Sequence, residues 1–266
     1  MIGIITESIS CMNRQDCVRL MVRLMPLSYV VSGKSFPDVI AEGRRCPPNA
    51  FSMAPTAAQY YKVFGEYVAR GYNVICLTSS PKISTSYENA MVASKAYPAG
   101  RIAVVDSKGV AGALHLLAQR ARELERSGAG FTDIVQILQS VRDKLSTSFS
   151  MDAITTLRDA KRLGRVMHTS AAPILNQKPV CIIEGGTIVL KKSVSSGFGE
   201  IRELCAVHAA PRRMIVHYGI KDAVTGELIR TLRARHPHAE ILQRPVTMAL
   251  RVNLGDGILG IVSETI

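Results

Sequence analysis

The stretch Tyr72 to Ala96, YNVICLTSSPKISTSYENAMVASKA, constrains this chain more than any other. It opens with an uninterrupted apolar run, Val74 to Leu77, of the kind that forms a strand buried on both faces of a parallel sheet. The run breaks into Thr78-Ser79-Ser80-Pro81-Lys82-Ile83-Ser84-Thr85-Ser86, a hydroxyl-rich turn, and a helical pattern resumes through Tyr87, Met91 and Ala96. Open α/β sheets place ligands at the carboxyl ends of their strands, and a helix starting there points unsatisfied N–H groups at an anion. A carboxylate or a phosphate suits such a turn. On these residues alone, Ser84 or Thr85 serves equally well as a plain N-cap.

Strands and helices alternate on either side of this stretch. Ile2 to Thr6 reads as a strand, Cys11 to Met25 as a helix and Leu27 to Val31 as a second strand, with Lys34 to Asn49 a loop punctuated by prolines. Ala57 to Arg70 is predicted helical, Arg101 to Asp106 a buried strand, and Ala111 to Ser127 and Thr132 to Leu145 helices. That rhythm predicts a parallel sheet flanked by helices over residues 1–145. From 146 to 266 the character changes. Glu184-Gly185-Gly186-Thr187 between apolar runs signals a hairpin within Val180 to Lys192, and Met214 to Tyr218, Glu240 to Val246 and Ile258 to Val262 read as strands. With helices over Ala153 to Arg162, Ser196 to His208 and Ala223 to Arg235, the expectation is a second α/β domain with a mixed sheet.

Composition narrows the function. With 266 residues, 47% of them hydrophobic, the chain can bury a large core, and no apolar run approaches the roughly twenty residues of a membrane span. Met1 to Glu7 lacks the features of a secretion signal, so the expected location is the cytoplasm. The six cysteines form no CxxC pair and the six histidines no HExxH, so reduced structural thiols and no bound metal are expected. A net charge of +12 is spread over scattered pairs such as Arg44-Arg45 and Lys191-Lys192, with 5% aromatics and no nucleic-acid signature. That charge suits an acidic protein partner or transient contact with an anionic membrane surface, and no nucleic acid is expected.

Gly255-Asp256-Gly257-Ile258-Leu259-Gly260 matches GxGxxG, but only six residues follow it, too few for the helix that would hold a pyrophosphate. Its glycines are expected to allow a tight turn close to a ligand or another segment. A Walker A loop is absent, and Ser84 lacks the GxSxG setting of a hydrolase.

Five segments then carry a resemblance: Ile5-Thr6-Glu7-Ser8; Ser52-Met53-Ala54-Pro55-Thr56; Lys82 to Ala90; Val104-Val105-Asp106-Ser107-Lys108; and Leu157 to Arg165 leading to Leu175-Asn176-Gln177-Lys178-Pro179. The glycine turn near the end is a sixth. In order and spacing, over nearly the whole chain, they resemble the DegV family of bacterial fatty-acid-binding proteins, which includes the fatty-acid-carrying subunits of the bacterial fatty acid kinase.

The resemblance implies two α/β domains with a long acyl chain buried between and within them and its carboxylate held by hydroxyls at the sheet ends. By position, Ser52 stands where the family usually has threonine and Ser84 at its carboxylate-binding serine. Thr85 replaces the usual glycine after that serine. Asn253 replaces a common histidine and cannot become cationic. Arg165, which ends the Leu157 to Arg165 motif, is the cation expected near the carboxylate; as a helix-end surface residue it would also be ordinary, and Ser52 could equally be a helix cap.

The implied function is that of a carrier whose only small molecule is the bound fatty acid, presented to a separate kinase subunit for phosphorylation to acyl-phosphate. The alternative is a small serine hydrolase or acyltransferase using Ser84, against which stands the lack of a base in any recognisable pattern. The oligomeric state stays open.

Overall fold

The structure, a computed structural model, describes residues 1–40, 42–152 and 177–265. From the start of the chain come β1 (Ile2–Glu7), α1 (Arg14–Leu20), β2 (Val22–Met25), β3 (Ser28–Val31), β4 (Lys34–Pro37), β5 (Phe51–Met53), α2 (Ala57–Val68), β6 (Asn73–Thr78), α3 (Ser86–Ser94), β7 (Ile102–Asp106), α4 (Gly112–Arg126) and α5 (Phe131–Arg142). β2, β1, β6 and β7, in that order, make an all-parallel sheet. Every residue of β1 is buried, because helices cover both faces. Tyr60 and Phe64 of α2 and Ala90 and Ala93 of α3 pack on Ile5, Val74 and Cys76; α4 and α5 pack on Ile4, Ile75 and Leu77.

The second half supplies β8 (Leu145–Ser150), β9 (Gln177–Glu184), β10 (Thr187–Ser195), α6 (Phe198–Cys205), β11 (Pro211–Tyr218), α7 (Ala223–Arg235), β12 (Glu240–Pro245), α8 (Met248–Leu254) and β13 (Leu259–Thr265). They form a six-stranded mixed sheet, β10-β9-β8-β13-β11-β12, parallel between β11 and β12 and antiparallel elsewhere. Helices α6 and α7 cover one face. The other face meets α4, whose Ala113 and Leu116 pack on Ile215 and Val262 while its Leu114, Leu117 and Ala118 face the parallel sheet. One helix is thus buried between both sheets, as the two α/β domains expected from the sequence allow.

Three expectations fail for identifiable reasons. The helix expected over Cys11 to Met25 runs only through α1: a 3-10 turn, Ser8–Ser10, precedes it, and Met21 at φ 47° ends it so that Val22 to Met25 can pair with β1 as an edge strand. Leu27 to Val31 contributes β3 not to the parallel sheet but to a small antiparallel one, β4-β3-β5. Its partner β4 lies inside the stretch read as loop, and Ser32-Gly33, at φ 49° and 77°, forms the two-residue hairpin between them. Strand β8 and helix α8 had no counterpart in the sequence reading. The helix expected over Ala153 to Arg162 lies outside the described residues.

A polar tie closes the seam between the halves. Arg244, at the end of β12, donates from Nε and Nη2 to the two carboxylate oxygens of Asp16 on α1, at 2.7 and 2.8 Å. Burial pushes the Asp16 carboxyl up, but the Arg244 guanidinium, the Asn13 N–H and the neighbouring His115 together outweigh it and hold the group below its ordinary value of 3.8. A depressed carboxylate contributes stability that is present above the unfolded value and lost as pH falls through the folded one. Replacing Arg244 by Met strands a carboxylate whose side chain is 5% exposed, and is expected to cost about 3–5 kcal/mol. Urea unfolding at neutral pH reads that loss, and the gap between variant and parent should shrink on acidification below the ordinary carboxylate range.

Candidate functional site

A cavity of about 620 Å³ opens between the two sheets, within the range of roughly 300–1,000 Å³ usual for small-ligand sites. Its walls are mostly aliphatic and aromatic, including Leu27, Phe149, Ile188, Leu250, Leu254 and Ile258. Ser52, Ser84, Thr85 and Asn253 share them. Four of the residues singled out in the sequence, spread over some 200 positions, therefore meet at one cavity. Arg165 lies outside the described residues.

The hydroxyl turn after β6 is shaped from beneath by Glu7, the fully buried last residue of β1. Ser79 donates to Glu7 Oε2 from its backbone N–H at 3.2 Å and from its hydroxyl, and Tyr60 donates to Oε1 at 3.5 Å. Burial pushes the Glu7 carboxyl up, against the pull of hydrogen bonds from Ser79, Ser86 and Tyr60. Above it, the N–H groups of Ile83 and Ser84 both donate to Ser80 O, at 2.9 and 3.0 Å, and coil the turn into the start of α3. Thr85 is the N-cap residue of α3, yet its side chain makes no cap hydrogen bond. Ser84 Oγ accepts from Ser86 N at 3.3 Å and shares a 3.0 Å hydrogen bond with the Ser86 hydroxyl. Neither residue behaves as an ordinary cap, in which the side chain bonds the second or third N–H of the helix.

Ser52 is no helix cap either. It lies in β5, and the cap of α2 is Thr56, in a capping box with Gln59. Ser52 Oγ accepts instead from Asn253 Nδ2 at 2.8 Å, and Asn253 also donates to Ala249 O within α8. The GxGxxG stretch ends α8 and turns back into β13. Gly255, at φ 88°, and Gly257 approach Asp152 so closely that a Cβ on either would stand 2.5 or 2.2 Å from its carboxylate, while Gly260 lies on the cavity wall. The expected close approach of glycine backbone to another segment is present.

A second turn reaches over the first. At the tip of the β9–β10 hairpin, Gly185 O accepts from Lys82 Nζ at 2.9 Å, and a Cβ on Gly186, at φ 82°, would stand 2.5 Å from Ser80 Oγ. The mixed sheet thereby clasps the hydroxyl turn of the parallel one.

No described histidine bonds Ser84. The Ser–His contact that does exist joins Ser148 Oγ and His208 Nε2 at 2.8 Å, with His208 Nδ1 2.6 Å from Ser263 Oγ. Because Ser148 Oγ donates to Leu204 O at 2.7 Å, it must accept from His208 Nε2–H, so this imidazole presents no lone pair to the serine. Burial lowers His208 to about 3, and the pair is a core hydrogen-bond chain. A histidine the sequence reading passed over, His217, does reach the cavity wall; its only signal was a polar residue within an apolar strand.

Fold and site together define a two-sheet α/β protein with a mostly apolar cavity and a hydroxyl turn beside a helix N-terminus. The sequence profile of the DegV family, described as uncharacterised proteins, matches residues 1–265, and the chain belongs to that family. A DegV domain-containing protein of Deinococcus radiodurans is 28% identical over 195 residues, which is 70% of this chain and 69% of that one. Among solved structures, a Thermus thermophilus DegV-family protein described as binding fatty acid superposes with a TM-score of 0.87 at 20% identity, covering 100% of this chain and 99% of that one. DegV of Bacillus subtilis, described as a fatty acid binding protein, superposes with a TM-score of 0.83 at 20% identity and covers 99% of each. The fold is theirs. Among the described residues, no helix is long and apolar enough to cross a membrane.

The clasp generates a test. In Gly186→Ala the new methyl meets both a left-handed backbone and Ser80, so a loss of about 1–2 kcal/mol from the backbone alone is expected. Chemical denaturation measures it. Because the strain falls on the hydroxyl turn, limited proteolysis should find that turn cut faster in the variant.

Proposed function

We propose that this protein binds a long-chain fatty acid, the tail in the cavity and the carboxylate against the hydroxyl turn. The observation that carries the reading is the presence of Ser52, Ser84, Thr85 and Asn253 in the lining of one mostly apolar cavity of about 620 Å³. Relatives of the same fold described as fatty-acid-binding support it.

The energetics divide between the two ends of the ligand. Burial of a tail contributes about 0.8 kcal/mol per CH₂, so a sixteen-carbon chain gains roughly 10 kcal/mol before ordering costs. The carboxylate adds little net affinity but fixes direction, since a charge leaving water must find hydrogen bonds. Ser84 suits this task because its hydroxyl stands on the cavity wall at the start of α3, where the Ser86 N–H already orients its oxygen. Ser52, oriented by Asn253, offers a second hydroxyl, and the start of α3 supplies a favourable dipole. Arg165 is proposed as the nearby cation, on the family resemblance.

The carrier reading extends to a cytoplasmic protein, with domains at 1–145 and 146–266, that presents the carboxylate to a separate kinase subunit for conversion to acyl-phosphate. The Lys82 to Thr85 segment supports it: Lys82 and Thr85 are solvent-exposed while lining the cavity, so a carboxylate held there would face outward. A nucleophilic role for Ser84 has no described base to support it.

Mass spectrometry of the organic extract of the purified protein should reveal fatty acid, and added fatty acid should raise Tm; failure of both rejects the reading. Ser84→Ala should weaken binding by about 1.5–3 kcal/mol, the range for a hydrogen bond to a charged group, with little change in ligand-free stability. An unchanged Kd reduces Ser84 to a local turn residue.

A further inference from the structure

Glu7 carries a carboxyl that no counter-charge matches. It is 0% exposed, and the neighbours that favour its charged form are all neutral donors: Ser79 through N–H and hydroxyl, Ser86, and Tyr60. The titratable groups facing it are Tyr60 on α2 and Cys76 on β6. Burial, and then the Glu7 charge itself, pushes each well above its ordinary value, so both stay neutral. From β2 the residue paired with Glu7 is Met25, and from α3 it meets Ser86, neither of them charged.

Two serines connect this carboxyl to the cavity. Ser86 is fully buried; its hydroxyl favours the charged form of Glu7 and lies 3.0 Å from the hydroxyl of Ser84, which is half-buried and lines the cavity. Each hydroxyl has a single proton to give. When Glu7 is ionised it can only accept, so the Ser86 proton points to Glu7 and the Ser84 proton to Ser86, and Ser84 turns a lone pair to the cavity. That lone pair suits the O–H of a neutral acid and repels a carboxylate. When Glu7 is protonated the order reverses: Glu7 donates to Ser86, Ser86 to Ser84, and the Ser84 proton is free for a carboxylate. Each arrangement supplies one proton for two carboxyls. Lys82, the charged residue among the described lining, is exposed and bonds Gly185 O, so solvent screens it.

We propose that the fatty acid binds together with one proton, which its carboxyl and Glu7 share through Ser86 and Ser84. The inference rests on the fatty-acid reading and makes Glu7 a positioning residue that acts on the ligand through the two serines. The balance is simple: a ligand anion, an ionised Glu7 and one proton from solvent give a complex with a single negative charge. Two carboxyls in one cation-poor site do not both ionise cheaply. Burial outweighs the hydrogen bonds and already holds Glu7 above its ordinary value of 4.5 in the free protein, and a bound anion raises it further. Below the free value Glu7 is protonated before the ligand arrives, and affinity is level. Between the free and bound values a proton must be taken up, and affinity falls as pH rises.

The test is a titration of the full-length protein with decanoate, kept below its aggregation concentration, between about pH 6 and 9, where the free ligand is ionised. Affinity should fall about tenfold per pH unit over part of that range, and calorimetry there in buffers of different ionisation enthalpy should count about one proton taken up. Decan-1-ol, which has no charge to share, should bind with a level profile. Glu7→Gln mimics the protonated carboxyl, so it should remove the slope and bind decanoate at the alkaline end at least about tenfold more tightly than the wild type does. A level wild-type profile with no proton uptake overturns the inference, and this measurement needs no variant to fold. An equal slope for decan-1-ol, or a slope retained in folded Glu7→Gln, overturns it as well. Failure of decanoate to bind at any pH overturns the fatty-acid reading itself and is distinguishable from binding with a level profile.

Discussion

The structure depends on a helix that has no solvent side to spare. Ten of the residues in α4 are buried, because it packs on the parallel sheet with one set of side chains and on the mixed sheet with another. An ordinary amphipathic helix needs a single apolar stripe. Two stripes on one helix fix the separation of the sheets, and the residues just before it, Val110 and Ala111, line the cavity that this separation leaves. Close packing is the rule in protein interiors, so a space of this size persists only where its walls are held from outside. Here they are held by α4, by the Asp16–Arg244 pair and by the hairpin that reaches over to Lys82.

Glu7 performs the equivalent service for the hydroxyl turn. A carboxyl buried at the end of β1 is tolerated because Ser79 and Tyr60 turn their donors toward it, and in doing so they set the path of the chain from β6 to α3. The turn therefore owes its shape less to its own serines than to a residue more than seventy positions earlier.

That dependence explains what could and could not be read from the sequence. Val74 to Leu77 announced β6 because a strand buried on both faces is apolar throughout, and Gly185-Gly186 announced its hairpin because both residues need positive φ. Leu145 to Ser150 gave no such signal. Its serines look like a loop, yet Ser148 bonds Leu204 O and His208, and Ser150 bonds Glu200 and Leu259 O, so their hydroxyls are satisfied inside the core. Val22 to Met25 was misread because a left-handed residue, Met21, interrupts what looks like a continuing helix. At the site, Ser84 and Ser52 were legible as small hydroxyls in motif positions. The pairing of Ser52 on β5 with Asn253 on α8 exists only once segments from both ends of the chain are in place.

The contact between Asn253 and Ser52 spans 201 residues of chain, and the one between Lys82 and Gly185 spans 103. Contacts so distant in sequence are the last to form, since each must first overcome the entropy of closing a long loop. The parallel sheet can assemble from neighbouring segments while the cavity beside it has no far wall. The cavity is thus complete only when segments from both ends of the chain have met, and a partly folded chain has no half-built pocket.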